Sequence, residues 1–600
     1  MNPRSLSAFR AALALSCLLL TGLARAEDAP PRAVMVLKSV DDLLKDLEHI
    51  IGDLAGKKKE WQNNVFPNID IFLFGVDKTK PVRYDQIVGG KEGRREQMIV
   101  PVADLKLFIT DDLDPIDIIA KPDRKDKSLY ELKGDGYPGF MRYVHDYAYF
   151  ARKEHKEDVP EKIAPPSETH QKLLDAGYDV AAQLDNSKST PEQRKAAFSS
   201  FRENTLAGIQ KKPDETKEAF ELRKKSSEQS LDTFERLFVE ASNVIVGVEI
   251  NSKENLGTGK IVLAANQDTA LAGALKLQGQ KHSRFAGVAQ PADPVLTGRM
   301  NYALDSLGTQ QSGELYKLMQ KPLEQRVDKT EGLTDDQKSA RKELVGIVLN
   351  MLTTSLDLGK WDGMVQITTA ASGKHTGVLG LCVKDGAPVD KIVELLPRTA
   401  DGYKAELNVD TAGDVKIHKL TVTEKYPNAL KDFFSESGEL FIGAGPDTVW
   451  LSLGDGAVEA LKAAVTAAAN APTGNVDPTV ATLDMDLLPV LKLMGQLRKD
   501  GDFDLMGTLK NRGLLDPPAE EAAASTADKK DGSSEPSTAQ MLKDFEWRDA
   551  AIEALDPKAD RLHMDIKRVE DHLEGNGTLE SGILKAIGDV IAKFAKENLG

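Results

Sequence analysis

Residues 363–396 read GMVQITTAASGKHTGVLGLCVKDGAPVDKIVELL. Two apolar, β-branched runs flank Ala-Ser-Gly-Lys, and an Asp-Gly pair then precedes an amphipathic segment with Pro388 in its first turn. Such residues favour strand, turn, strand and helix, because Gly supplies the turn and Pro suits the first helical position. The competing reading is a phosphate-cradling loop at Gly373-Lys374. It fails on spacing, since Thr368 stands where the leading glycine belongs and His375 where the magnesium-binding hydroxyl belongs. The Gly-Lys pairs beginning at Gly56, Gly90, Gly259 and Gly359 lack the following Ser or Thr as well.

Outward from this stretch, the same succession recurs at 244–278 and 562–595, and a looser copy runs from DIFLFGVD through EQMIVPVADLKLFITDDL at 70–113. The elements downstream of each copy also repeat in order. After 70–113 come SLYELKGDG and the hairpin GFMRYVHDYAYFARK, then polar helices, then the copy at 244. After 363–396 come YKAELNVDTAGDVKIHKLTV and the hairpin GELFIGAGPDTVWLSLG, then helix and linker, then the copy at 562. Both hairpins turn at a two-residue polar site, His145-Asp146 and Pro446-Asp447. Each half opens with a strand running into a helix, AVMVLKSVDDLLKDLEHII and PVLTGRMNYALDSLG, and a third such passage is TVATLDMDLLPVLKLMGQL at 479–497. Asp41, Asn301 and Asp486 stand where strand gives way to helix and are expected to cap the first turn.

The fold class expected is α+β: a tandem duplication of a domain with a mainly antiparallel sheet covered by helices, plus long polar helical insertions. The first half spans 33–290, with a polar helical insertion at 167–241. The second spans 291–600, with a helical segment at 300–357 in which Thr334 caps the second helix, and a disordered linker at 516–538. If the free sheet faces of the halves meet or curve, they enclose a groove.

Residues 1–26 read as an export signal: Arg4 and Arg10, the apolar run AALALSCLLLTGL, and a small-x-small site at Ala24-Arg25-Ala26. Cys17 is poorly placed for lipidation because leucines follow it. No later stretch is apolar enough to span a bilayer, so no transmembrane segment is expected in the mature chain. Loss of Arg4, Arg10 and Arg25 with the leader takes the formal charge from −16 to −19, which disfavours nucleic acid and anionic membrane surfaces as partners. Cys382, the one cysteine left, reads as a small buried hydrophobe.

Motifs for chemistry are few. The nine histidines are scattered singly, and the acidic run Asp111, Asp112, Asp114 and Asp117 lacks the glycine and glutamate of a calcium loop, so no metal or cofactor is expected. No nucleophile elbow occurs, and Ser339-x-x-Lys342 has no companion motif. The remaining candidate is YVHDYAYF at 143–150, where Tyr143, His145, Tyr147 and Tyr149 are placed to offer rings to a sugar or apolar ligand. The export signal, the repeated unit and the MIVPVADLKLFI passage together resemble large exported bacterial proteins of unassigned function. The expected function is therefore an exported, non-catalytic interaction or scaffold protein of the periplasm or cell surface, using its polar helices for protein partners. The alternatives are a carrier of lipid or another apolar ligand between sheet and helices, and a hydrolase assembled from dispersed residues.

Overall fold

The computed structural model describes residues 32–87, 95–134, 137–163, 168–186, 189–213, 215–424, 426–471, 477–499 and 547–598. Residues 1–26, read as an export signal, and 516–538, read as a disordered linker, lie outside these residues. The strands of the first half are β1 (Arg32–Leu37), β2 (Val82–Ile87), β3 (Arg95–Pro101), β4 (Ile119–Pro122), β5 (Leu129–Lys133), β6 (Gly139–Val144), β7 (Tyr147–Arg152), β8 (Val180–Asp185), β9 (Ala241–Asn251) and β10 (Leu256–Ala265). Those of the second are β11 (Pro294–Ala303), β12 (Lys360–Thr369), β13 (His375–Cys382), β14 (Tyr403–Ala412), β15 (Val415–Val422), β16 (Glu439–Ala444), β17 (Thr448–Gly454), β18 (Thr479–Asp486), β19 (Arg561–Val569) and β20 (His572–Leu579).

All twenty belong to one sheet, and every pairing between them is antiparallel. Across the sheet the order is β4-β5-β6-β7-β3-β2-β1-β8-β9-β10, then β20-β19-β18-β11-β12-β13-β17-β16-β15-β14. Adding ten to each strand of the first half gives the second half in mirror order. The halves meet edge to edge at β10 and β20, where Gly259 stands opposite Gly577. This join removes two edges that would otherwise expose unpaired backbone groups.

Helices join or cover the strands: α1 (Val40–Glu48), α2 (Glu168–Asp175), α3 (Pro191–Ala207), α4 (Lys217–Glu240), α5 (Ala270–Leu277), α6 (Ser306–Lys329), α7 (Asp335–Ser355), α8 (Pro388–Thr399), α9 (Asn428–Phe433), α10 (Ala457–Ala469), α11 (Leu487–Lys499), α12 (Trp547–Ala554) and α13 (Ser581–Asn598). The polar helices pack on one another: α3 on α4, α4 on α6, α6 on α7, and α7 on α8.

The ends of the two halves are exchanged. Ala592 and Ala595 of α13 complete the first half's core with Val40, Ile51 and Trp61. Gly588 lets α13 approach so closely that a Cβ there would meet the Ile50 carbonyl oxygen at 2.3 Å. Conversely, Phe285 and Val288, which follow β10 and α5, enter the second half's core beside Met364, Trp450 and Leu461.

Several expectations need correction. The stretch 167–241 is not helical throughout: β8 lies within it, paired on both sides with β1 and β9, so ladder bonds override the helix preference of its alanines and glutamine. In the copy at 70–113, the residues around DIFLFGVD form helix (Phe66–Asp70) and irregular chain; the first strand of that unit is β2. Asp41, Asn301 and Asp486 do not cap. Ser39 caps α1 through Asp42 N, Asp305 caps α6 through Gly308 N, and Asp560 accepts from Leu488 N at the start of α11. At α1 the helix starts before Asp41, at Val40, whereas β11 runs on past Asn301 to Ala303, and each shift moves the cap. At α7, Thr334 does form a capping box with Gln337.

Candidate apolar ligand-binding face

Because side chains alternate along a strand, the register assigns each residue of the central strands to one of two faces. On one face, a row runs Val246 (β9), Ile261 (β10), Gly575 (β20), Ile566 (β19), Ala481 (β18), Met300 (β11), Gly363 (β12) and Leu381 (β13). The adjacent row runs Val248, Gly259, Gly577, Met564, Leu483, Gly298, Val365 and Leu379. Sixteen successive positions thus carry no polar side chain. The eight strands span about 33 Å at the usual ~4.8 Å spacing.

On β12 and β13 the opposite face bears Met364 and Val378 of the second half's core, but on β10, β20, β19 and β18 it carries charge. There Lys260 pairs with Glu574 at 3.1 Å, Lys567 with Asp565 at 3.2 Å, and Asp484 accepts from Arg561.

Ordinarily the apolar face of a one-sided sheet is buried under helices. Here the described helices cover the strands on either side of the two rows. At one end α5 packs over Val244, Leu263 and Leu573; at the other, α11, α12 and α13 pack over Leu562 and Leu579. Between them Val246, Val248, Met564, Ile566, Met300 and Leu381 are exposed, and Ile261 is 51 % exposed. At the margin Tyr302 is exposed too, its phenol pKa raised by partial burial and then by Asp305. Beside it Trp361 meets Tyr316 of α6 edge-on at 6.3 Å.

The floor glycines are unusual because folding does not require them. A Cβ on Gly259, Gly575 or Gly577 would meet nothing nearer than 3.9, 3.6 and 3.8 Å, and none has a positive φ. Glycine within a strand costs about 0.5–1 kcal/mol and often marks close approach by a ligand. Gly247, on the other face, has a packing reason: its Cβ would strike the Tyr178 ring at 2.3 Å.

The hairpin aromatics do not form one surface. Tyr143 stands opposite Ala148 and packs on the core that contains Met141 and Phe150. Tyr147 and Tyr149 point to the other face, their rings 6.4 Å apart. Tyr149 is 2 % exposed, and burial pushes its phenol up to about 12. His145 and Asp146 form the turn with φ of 57° and 59°, and His145 Nε2 lies 3.0 Å from the Ile163 carbonyl oxygen.

Other singled-out residues have structural partners. Lys374 Nζ donates to the carbonyls of Lys431 and Asp432 at the end of α9, where a cation suits the helix terminus. Asp112 accepts from the backbone of Phe74 and Gly75. Lys342 pairs with Asp328 at 2.6 Å, and burial raises the Cys382 thiol to about 11, which keeps it protonated and inert. Among the described residues no group of three or more His, Cys, Asp or Glu is placed to hold a metal ion, and no helix is long and apolar enough to cross a membrane.

Sequence reasoning missed the face itself, although each joining strand carries a signal: Gly257-x-Gly259 in β10 and Gly575-x-Gly577 in β20. No family model matches the chain, and neither the curated proteins nor the solved structures include one similar to it.

Proposed function

We propose that the protein is an exported carrier that holds a hydrocarbon-chain ligand across the open apolar face of its central strands. The observation that carries this reading is the glycine floor at Gly259, Gly575 and Gly577, unexplained by backbone or packing, among exposed Val248, Ile261, Met564 and Ile566. A contiguous exposed apolar patch of this extent marks an interaction site. Its chemistry favours a hydrocarbon. The two rows offer no hydrogen-bonding side chain, and the strands are paired on both edges, so an added peptide strand has no edge to join. An enclosed pocket suits a compact ligand, whereas a long open face suits a long chain. The scaffold reading is weaker, because α3, α4, α6 and α7 pack on one another in succession. The matched strand order of the halves supports a tandem duplication.

The test is to purify the exported protein without detergent, extract it with organic solvent and identify bound amphiphiles by mass spectrometry. A fluorescent long-chain fatty acid then measures binding. Wild type is expected to carry a long-chain lipid or fatty acid, and Gly577→Leu to fold normally but bind the probe at least tenfold more weakly. Wild type that carries no such ligand and ignores the probe refutes the reading, as does recovery of a bound polypeptide in its place.

A further inference from the structure

The apolar face of the central strands differs at its two ends. Along the six strands from β9 through β10, β20, β19 and β18 to β11, that face bears one charged side chain, Arg568, which stands two residues beyond Ile566 and opposite Leu573. Tyr302, two residues beyond Met300, brings a phenol to the same end. The other end is closed by Leu488, Leu555 and Ile583 over Leu562 and Leu579.

Arg568 is partly exposed and is held in place without being neutralised. Its backbone N donates to the Pro478 carbonyl at 2.9 Å, and its Nη1 donates to the carbonyl of Lys276, in the last turn of α5, at 3.0 Å. The second bond satisfies a carbonyl at the helix end and ties the guanidinium to the helix that covers Val244, Leu263 and Leu573. Among the described residues neither Arg568 nor the exposed Lys276 forms an ion pair with an Asp or Glu. On the neighbouring strands and turn, Glu574 pairs with Lys260, Asp571 with His572, Asp477 accepts from Thr479 N, and Glu570 is exposed in the turn between β19 and β20.

A guanidinium stays charged at any accessible pH. Lys276 takes a bond from Nη1, which leaves the edge formed by Nε and Nη2, the fork that takes two oxygens of one anion side by side. Leading away from Arg568 along the face, Ile566 and Gly575 come first, then Met564 and Gly577. A ligand whose head sits at Arg568 therefore lays its tail on the glycine floor. We infer that the hydrocarbon ligand carries an oxyanion head, a carboxylate or a phosphate, and that Arg568 holds that head while Lys276 adds charge beside it. This rests on the carrier reading and adds to it the class of amphiphile and its direction on the face.

The experiment is calorimetric titration of the full chain, stripped of bound amphiphile, with ligands that share one saturated tail and differ in the head: a fatty acid, an alkyl phosphate, a fatty alcohol and an alkyltrimethylammonium. Each is used below its micelle concentration, at a pH that ionises the acid. The anions are expected to bind at least about tenfold more tightly than the alcohol, and the ammonium most weakly. That advantage is expected to shrink as sodium chloride is raised. Arg568→Met, which keeps the stem and removes the fork, is expected to bring the anions down to the affinity of the alcohol and to leave the alcohol unchanged, whereas Gly577→Leu weakens all four alike. The tighter of the two anions tells a carboxylate head from a phosphate head. Should Arg568→Met fail to fold, the salt series on the wild type decides, and an advantage indifferent to salt overturns the inference. Anions that bind no better than the alcohol, or an advantage that survives Arg568→Met, also overturn it while the carrier reading stands. A protein that binds none of the four refutes the carrier reading and this inference with it.

Discussion

The wing formed by β12–β17 and the centre formed by β9, β10, β20 and β19 share one antiparallel ladder, yet they use glycine in opposite ways. In the wing, a Cβ on Gly380 would meet Phe285 at 2.6 Å and Trp450 at 2.9 Å, and one on Gly443 would meet the Trp450 side chain at 2.9 Å. Those glycines make room for the protein's own aromatic core. In the centre, Gly259 and Gly577 make room for nothing in the chain. Glycine that serves packing is explained by its neighbours, whereas glycine that faces open space needs a reason from outside the fold.

The comparison can be broken by stability measurements. The largest effect is expected at Trp450, which is 1 % exposed, meets Phe285 edge-on at 5.2 Å and donates Nε1 to Thr448 Oγ1. Trp450→Ala should cost about 3–5 kcal/mol by urea denaturation. Next, Gly380→Ala should cost about 1–3 kcal/mol through overpacking, while Gly577→Ala should be neutral or stabilising by up to about 1 kcal/mol. Equal losses at the two glycines would erase the distinction between wing and centre. The smallest effect is expected for Ile261→Ser, within about 0.5 kcal/mol by the same method, because the exposed side chain has little burial to lose. A loss of several kcal/mol there would mean that Ile261 is part of the folding core.

Much of the local structure was legible in the chain. The strand-turn-strand-helix units at 244–278, 363–396 and 562–595 are present as pairs of hairpin strands followed by α5, α8 and α13. The turns at Gly373, with φ of 83°, and at His145-Asp146 use residues that tolerate left-handed backbone. The non-local features stayed hidden. β8 reads as helix until β1 and β9 flank it, and the cap at Ser39 is displaced from Asp41 by only two residues. The apolar face arises only when β10 and β20, more than three hundred residues apart, are laid side by side. Composition shows alternation within each strand but cannot show which alternating faces will be left uncovered. The expected aromatic surface was misplaced for a similar reason: Tyr143 and Tyr149 belong to opposite faces of one hairpin, so their closeness in sequence does not join them in space.

The exchanged ends also bear on the order of events during synthesis. The core around Trp61 is closed by Ala592 and Ala595, so residues near the start of the chain cannot finish packing until nearly the whole polypeptide is available. Contacts that span such separations are slow to form. The core around Trp61 closes only when α13 docks, which makes α13 the latch of that core.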